Sequence, residues 1–361
     1  MTLDRINLSR FRNHCETRLD GTAALNLLVG ENGAGKTNVL EALSLLAPGR
    51  GLRRAALAEM AERTQGAGFA VSAGLMAGEQ EPVMLGTGTD PARPGRRLVQ
   101  VNGAQASAVA LGEWLAVSWL TPAMDGLFTD SASARRRYMD RLALALDPAH
   151  ARRAARYEEA LRKRNRLLSD PNMPDASWMV SIERQMAEAG AALANGRRAL
   201  VEQLRTALDD LPDRPFARPA LEYLPGGPEN ADALADALEA GRARDRAAQR
   251  SLTGPHRDEL QVIMAAKSAP AAQCSTGEQK AMLLAITLAH AELAAKGRPG
   301  LLLLDEVAAH LDPLRRSALF ERLEGGGAQV WMTGTEAAPF ATIESNAATW
   351  RIADGQAKRR E

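Results

Sequence analysis

Cysteine is almost missing from this sequence of 361 residues: Cys15 and Cys274 are the whole complement. That excludes a disulfide framework and a four-cysteine zinc site. The five histidines, His14, His150, His256, His290 and His310, stand at no metal-ligand spacing. No apolar run approaches the roughly 20 residues of a membrane-spanning helix. The opening MTLDRINLSRFRN puts charges where a secretory signal needs an apolar core. No membrane partner is therefore expected, and a reducing cytoplasm is the expected setting. Aromatic residues make up 4% of the chain and form no interleaved aromatic-basic stripe, which argues against base stacking on single strands. Neither sign of charge dominates, with 45 Lys+Arg against 44 Asp+Glu and a balance of +1.

Lysine is scarce as well. Only Lys36, Lys163, Lys267, Lys280, Lys296 and Lys358 occur, so 39 of the basic residues are arginine. Alanine fills about one position in five. Both biases read as genome-wide composition, which makes a lysine at a chemically demanding position informative. A hydrophobic fraction of 45% over this length supports a sizeable core, expected in two lobes.

Patterning divides the chain. Thr2 to Leu8 alternates as a strand, and Ala24 to Val29 is a short apolar run bounded by glycine, a buried strand. A helix is expected from about Lys36 to Leu46, ended by Pro48-Gly49-Arg50-Gly51. Arg97 to Val101 before Asn102-Gly103 reads as a strand entering a hairpin turn, and Trp114 to Leu120 as another strand. From Ser131 to about Arg250, Ala, Leu, Arg and Glu recur at helical spacing. Pro171, Pro174, Pro212 and Gly226-Gly227-Pro228 break this stretch into several short helices. Strand signals return at Leu260 to Met264, Leu301 to Leu304 and Val330 to Thr333, with a long helix from Gly277 to about Ala295. The expected domains are a mixed α/β lobe of residues 1–120 and 251–361, which also holds the motifs described next, and a helical lobe of residues 121–250 inserted in it.

Three motifs carry chemistry. Gly30-Glu31-Asn32-Gly33-Ala34-Gly35-Lys36-Thr37 fits GxxxxGK[ST], with a strand before it and a helix after. Such a loop lets backbone N–H groups and a helix N-terminus cradle phosphates. Lys36 reaches the β/γ oxygens and the Thr37 hydroxyl ligates Mg²⁺. Leu301 to Leu304 ends in Asp305-Glu306, placing Asp305 on Mg²⁺ and Glu306 on the attacking water; an N-cap at Asp305 is the plainer alternative. Ser275-Thr276-Gly277-Glu278-Gln279-Lys280 opens the long helix and resembles the S-x-G-x-Q signature of ABC-type ATPases. An ordinary helix start is its alternative. Leu311-Asp312 follows as the D-loop of that order. Ser275, Gly277, Gln279 and Asp312 then join the loop residues in ATP binding. In ABC-type proteins the signature of one copy completes the site of the other, so a homodimer holding two ATP is expected.

From Lys36 to Gly277 there are 241 residues, far more than transporter ATPase subunits carry, and the insert has no long coiled coil. The whole chain resembles the RecF family of bacterial recombination mediators. The resemblance rests on Arg10-Phe11-Arg12-Asn13, the P-loop, Pro48 to Arg53, Val101-Asn102-Gly103 and Thr121 to Asp125. It continues through Arg135-Arg136-Arg137-Tyr138-Met139-Asp140 and Thr253-Gly254-Pro255-His256-Arg257-Asp258 to the signature, Asp305-Glu306 and Leu311-Asp312. It implies an α/β, ABC-type P-loop ATPase head, a mixed sheet with an antiparallel β subdomain, carrying an inserted helical lobe. It implies ATP-driven dimerisation on DNA at gaps or duplex–single-strand junctions, slow DNA-stimulated hydrolysis, and action with RecR and RecO to load RecA. A transporter subunit, or a clamp in which hydrolysis is incidental, is the rival.

Two departures bear on rate. Glu278 stands where the family more often has Gln, and its charge beside a γ-phosphate would slow closure. Val330 to Thr335 replaces a switch histidine, leaving Thr333 or Thr335 to sense the γ-phosphate. For DNA, residues 131–170 hold eleven basic and five acidic side chains, so the remaining chain is net acidic. Arg152, Arg156, Arg162, Arg164 and Arg166 either meet phosphates or simply solvate helix faces. His256 and Arg257 either relay nucleotide state between lobes or form a structural hinge contact.

Overall fold

The computed structural model describes residues 2–62, 68–76, 81–172, 175–209, 211–212, 214–308 and 311–360. Pro174 and His310 lie outside the described residues. The strands are β1 (Thr2–Phe11), β2 (His14–Leu19), β3 (Leu25–Val29), β4 (Ala70–Met76), β5 (Val83–Asp90), β6 (Arg93–Val101), β7 (Ala104–Gln105), β8 (Ala116–Leu120), β9 (Pro219–Leu224), β10 (Glu259–Met264), β11 (Ala269–Pro270), β12 (Gly300–Leu304), β13 (Ala328–Gly334), β14 (Ala347–Ala353) and β15 (Gln356–Arg359). The α-helices are α1 (Lys36–Ser44), α2 (Leu57–Met60), α3 (Leu111–Trp114), α4 (Ala132–Leu146), α5 (His150–Ser169), α6 (Ala176–Asp209), α7 (Ala231–Ala240), α8 (Arg242–Ala247), α9 (Thr276–Ala294) and α10 (Pro313–Glu324).

The chain divides into two compact units. The first holds residues 1–125, 214–216 and 286–361; the second holds 126–213 and 217–285. The first unit contains an antiparallel sheet in the order β2-β1-β4-β5-β6-β7 and a mixed sheet in the order β15-β14-β3-β13-β12-β8. Strands β14, β3, β13, β12 and β8 run parallel, with β15 antiparallel at the edge. Every residue of β3, β8 and β12 is buried, as expected for parallel strands covered on both faces. Helix α1 gives Val39, Leu40 and Leu43 to a core shared with Leu8 and Phe11 of β1 and Leu28, Leu303 and Trp331 of the mixed sheet. Trp331 and Trp350, on the strands either side of β3, stack with ring centroids 5.4 Å apart. Large side chains buried this way contribute about 1.5–3 kcal/mol each, and here they fix the strand that feeds the P-loop. The hairpin expected at Asn102-Gly103 forms, both residues at positive φ, 50° and 78°.

The second unit is built on α5, α6 and α7, whose Tyr157, Met186, Leu193, Leu234 and Leu238 form its core. The prolines and glycines of this stretch predict several short helices. Instead α6 runs unbroken for 34 residues, because residues 175–209 contain no proline to interrupt it. The lobe also holds a three-stranded sheet, β11-β10-β9. β9 is an unforeseen strand whose burial alternates strictly, with Leu221 and Tyr223 inside. The return boundary moves for the same reason. Residues 251–285, expected in the ATPase lobe, fall in the second unit, since β10 pairs antiparallel with β9 throughout its length. Asp258 is buried there, accepting from Arg197, from the Tyr223 hydroxyl at 2.6 Å and from the Gly226 N–H at 2.8 Å.

Candidate functional site

The site begins where β3 ends. Gly33 and Gly35 adopt φ of 83° and 115°, a region that other residues enter only under strain. A Cβ on Gly33 would meet no atom within 4 Å, so the loop leaves room for a ligand to approach its backbone. Gly35 is the N-cap of α1, with no side-chain cap and no acidic residue in the first turn. The first N–H groups of that helix are thus available to an anion.

Lys36 is 4% exposed. Its Nζ donates to the carbonyls of Gly30 at 2.6 Å and Glu31 at 2.8 Å, so the ammonium is folded over its own loop with one donor left. Burial lowers its pKa, opposed by the nearby Glu306 and Asp305 carboxylates. Thr37 Oγ1 donates to the Asp305 carboxylate, 2.9 and 3.1 Å from its two oxygens.

Asp305 follows β12, and β13 lies between β12 and β3. That placement puts Thr333, near the end of β13, beside both motifs. Its hydroxyl donates to Asp305 Oδ1 at 2.8 Å and accepts the Glu306 N–H at 2.8 Å. Glu306 has a φ of 54°, rare for a non-glycine residue and frequent at working sites. Among the described residues Asp305 accepts no helix-capping bond; it is the point where Thr37 and Thr333 converge. A threonine hydroxyl beside a carboxylate is an oxygen-only donor set suited to a hard cation. Among the described residues no group of three or more His, Cys, Asp or Glu could hold a metal ion. A cation here would complete its shell with water and ligand phosphates. A cleft of about 750 Å³ opens along Gly30 to Ala34, lined also by Thr335, Arg351, Asp354 and Arg360, a volume suited to a small-molecule ligand.

The other expected residues belong to other elements. Ser275, Gly277 and Gln279 belong to the second unit. Ser275 and Glu278 form a reciprocal capping box, Ser275 N–H to Glu278 Oε2 at 3.0 Å and Glu278 N–H to Ser275 Oγ at 3.3 Å. The Lys267 ammonium bonds Glu278 and, with the Ser275 N–H, lowers its pKa. Glu278 thus faces a cation rather than standing as an unbalanced charge. Gln279 donates to Cys274 O, and Gly277 is open on its Cβ side. Asp312 caps α10 by accepting the Arg315 N–H at 3.0 Å.

Two expectations about charge change. Arg164 is fully buried, bonded to Glu183, Asp245, Ser251 and the Leu238 carbonyl, so it leaves the set of candidate phosphate contacts. Arg152, Arg156, Arg162 and Arg166 are exposed, although Arg162 pairs with Glu158. His256 is held inside the second unit, Nδ1 2.7 Å from the Tyr157 hydroxyl and Nε2 2.9 Å from Ser251 O. Glu41 of α1 was not anticipated: fully buried, it holds Arg12 through two bonds and Arg53 through one. A carboxylate in an otherwise apolar helix face was its only sequence signal.

The chain matches the RecF/RecN/SMC N-terminal domain family over residues 2–356. It is 48% identical over 359 residues to the DNA replication and repair protein RecF of Mesorhizobium japonicum, covering 96% of this chain and 94% of that one. The chain belongs to the RecF family. A second RecF relative, from Brucella suis, is 45% identical over 369 residues, covering 99% and 96% of the two chains. In fold, this RecF-family chain superposes on the recombination mediator protein RecF-ATPrS of the RecFOR pathway. The TM-score is 0.88 at 23% identity, covering 100% of this chain and 98% of that one. The Smc head domain of Pyrococcus furiosus gives 0.54 at 15% identity, covering 99% and 95%. The architecture is the ABC-type ATPase head with a helical insertion.

Proposed function

We propose that this RecF-family chain is an ATP-dependent DNA-binding ATPase of recombinational repair and replication restart. One observation carries the reading: Thr37, Asp305, Thr333 and Glu306 form a single hydrogen-bonded set where α1 begins and the neighbouring strands β12 and β13 end. Residues 30–37 cradle the ATP phosphates, and Lys36 turns from its loop carbonyls to the β/γ oxygens. Thr37 and Asp305 hold Mg²⁺, which when bound neutralises phosphate charge. Glu306 accepts a proton from water as its oxygen bonds the γ-phosphorus and the bond to ADP breaks. Thr333 is the positioning residue that ties Asp305 to Glu306. Ser275, Gly277 and Gln279 complete the site of a second copy, with Asp312 in the D-loop between.

ATP then closes a homodimer on DNA at gaps or duplex–single-strand junctions, with RecR and RecO acting beside it to load RecA. Slow, DNA-stimulated hydrolysis resets the dimer. The names of the RecF relatives and of two similar structures, RecF-ATPrS and RecF-ATP, support this reading. Sedimentation in Mg²⁺ with ATP or ADP, with and without gapped DNA, tests it. Glu306→Gln should trap dimers on DNA, and Lys36→Ala should form none. A chain that stays monomeric in every condition refutes the shared site. If both variants bind DNA as the parent does, the ATP switch fails.

A further inference from the structure

The segment Asn13-His14 touches the P-loop from behind, and the nucleotide reading leaves it without a role. Asn13 Nδ2 donates to the Ala34 carbonyl at 3.0 Å, and its Oδ1 accepts from Asn38 at 2.7 Å. His14 is fully buried, with Nε2 3.1 Å from the Gly35 carbonyl. A carbonyl can only accept, so Nε2 carries the ring proton; burial lowers the pKa of this imidazole. His14 Nδ1 lies 2.9 Å from Thr17 Oγ1, which is itself 2.7 Å from the Gly355 carbonyl. The Gly355 N–H returns to Ala34 O at 3.2 Å, closing the ring of contacts. The packing leaves no slack. A Cβ on Gly35 would stand 2.7 Å from His14 Nε2, and one on Gly355 would stand 1.9 Å from Asn13 O.

The geometry points to Asn13 and His14 as positioning residues that present the amides of Gly35 and Lys36 to the nucleotide phosphates. In a trans peptide the C=O and the following N–H point in opposite directions. Holding Ala34 O at the back through Asn13 and Gly355 turns the Gly35 N–H forward. Holding Gly35 O through His14, together with the Asn38 and Val39 N–H groups, turns the Lys36 N–H the same way. Donors fixed before the ligand arrives need no reorganisation on binding. The inference rests on ATP occupying the P-loop and assigns the loop's shape to two side chains outside the motif.

The test is equilibrium binding of ATP to the full chain, with thermal unfolding in the absence of nucleotide as a check on folding. Asn13→Ala removes an exposed side chain. His14→Phe keeps the ring bulk without a donor, and His14→Gln returns a donor near the Nε2 position. Asn13→Ala and His14→Phe should each weaken ATP binding roughly fivefold to tenfold, the scale of one lost hydrogen bond. His14→Gln should recover most of the loss. If His14→Phe does not fold, Asn13→Ala decides the outcome. Variants that bind ATP within about twofold of the parent overturn the inference while leaving the nucleotide site standing, on the same scale. His14→Gln as weak as a folded His14→Phe removes the donor role of His14. A parent chain that binds no ATP overturns the nucleotide reading, and the inference with it.

Discussion

Arg164 is a basic residue in the basic segment of residues 131–170, yet it is 0% exposed. Its guanidinium sits between Glu183 and Asp245, themselves almost fully buried. Removing one partner of such a cluster strands charge in a low-dielectric interior. Arg164→Ala should therefore cost about 3–5 kcal/mol of stability, read by urea unfolding; a loss under about 1 kcal/mol would contradict the buried network. Thr333 poses the complementary case, where the loss is catalytic. Its hydroxyl joins Asp305 to Glu306 and is 1% exposed. Thr333→Val keeps the shape of the side chain but breaks both bonds. The expected result is kcat down roughly 10- to 100-fold with ATP affinity within about threefold, from phosphate release alongside equilibrium binding. An equal rise in KM with kcat unchanged would instead mark a binding residue. The sequence offered Thr333 and Thr335 alike as γ-phosphate sensors; the hydrogen bonds to Asp305 and Glu306 single out Thr333 as the link between the carboxylates, while Thr335 lines the cleft beside the P-loop.

At the scale of elements, α6 is the clearest lesson. Proline and glycine punctuation marked where the helical stretch is interrupted, and Pro171 and Pro212 do flank α6. No proline interrupts its 34 residues, and it packs on two helices at once. It holds Met186 and Leu193 in the core with Tyr157 of α5 and Leu234 of α7. Gly190 is where that packing is closest, since a Cβ there would stand 2.9 Å from Leu234 Cδ2 and 3.1 Å from Tyr157 Cε2. In an exposed helix, Gly to Ala stabilises by about 1 kcal/mol. Here overpacking reverses the sign, and Gly190→Ala should lower stability by about 1–2 kcal/mol, measured by thermal unfolding. A gain would mean that α5 and α7 yield freely. β9 escaped a reading tuned to helical spacing, although Ala220 to Leu224 alternates at period two.

At the scale of the whole molecule, the balance of +1 conceals an uneven distribution. Part of the basic excess in residues 131–170 is absorbed internally, as Arg164, Arg153 and Arg135 pair with carboxylates. Arg152, Arg156 and Arg166 remain at the surface. Binding through such groups tracks the phosphate backbone, so affinity for gapped duplex should fall by about 10³ or more from 50 to 200 mM salt if six to ten phosphates are met. It should hardly depend on base sequence. Filter binding across that range measures the slope, and salt-insensitive binding would exclude this mode.

The sequence by itself marked the P-loop, the acidic pair after β12 and the head of α9 as candidate sites, because each is a short run recognisable from local spacing. It also marked β3, β12 and β13 as buried strands from their short apolar runs, while β14 went unmarked. Tertiary structure alone decided what depends on distant residues meeting. β13 had to fall between β3 and β12 before Thr333 could join the two motifs. β9 had to pair with β10 before the unit boundary could be drawn. The β1–β2 turn had to reach Ala34 and Gly35 before Asn13 and His14 could act on the loop. Local spacing encodes what a motif can bind. Strand order and packing, which no local pattern specifies, decide which side chains hold it in shape.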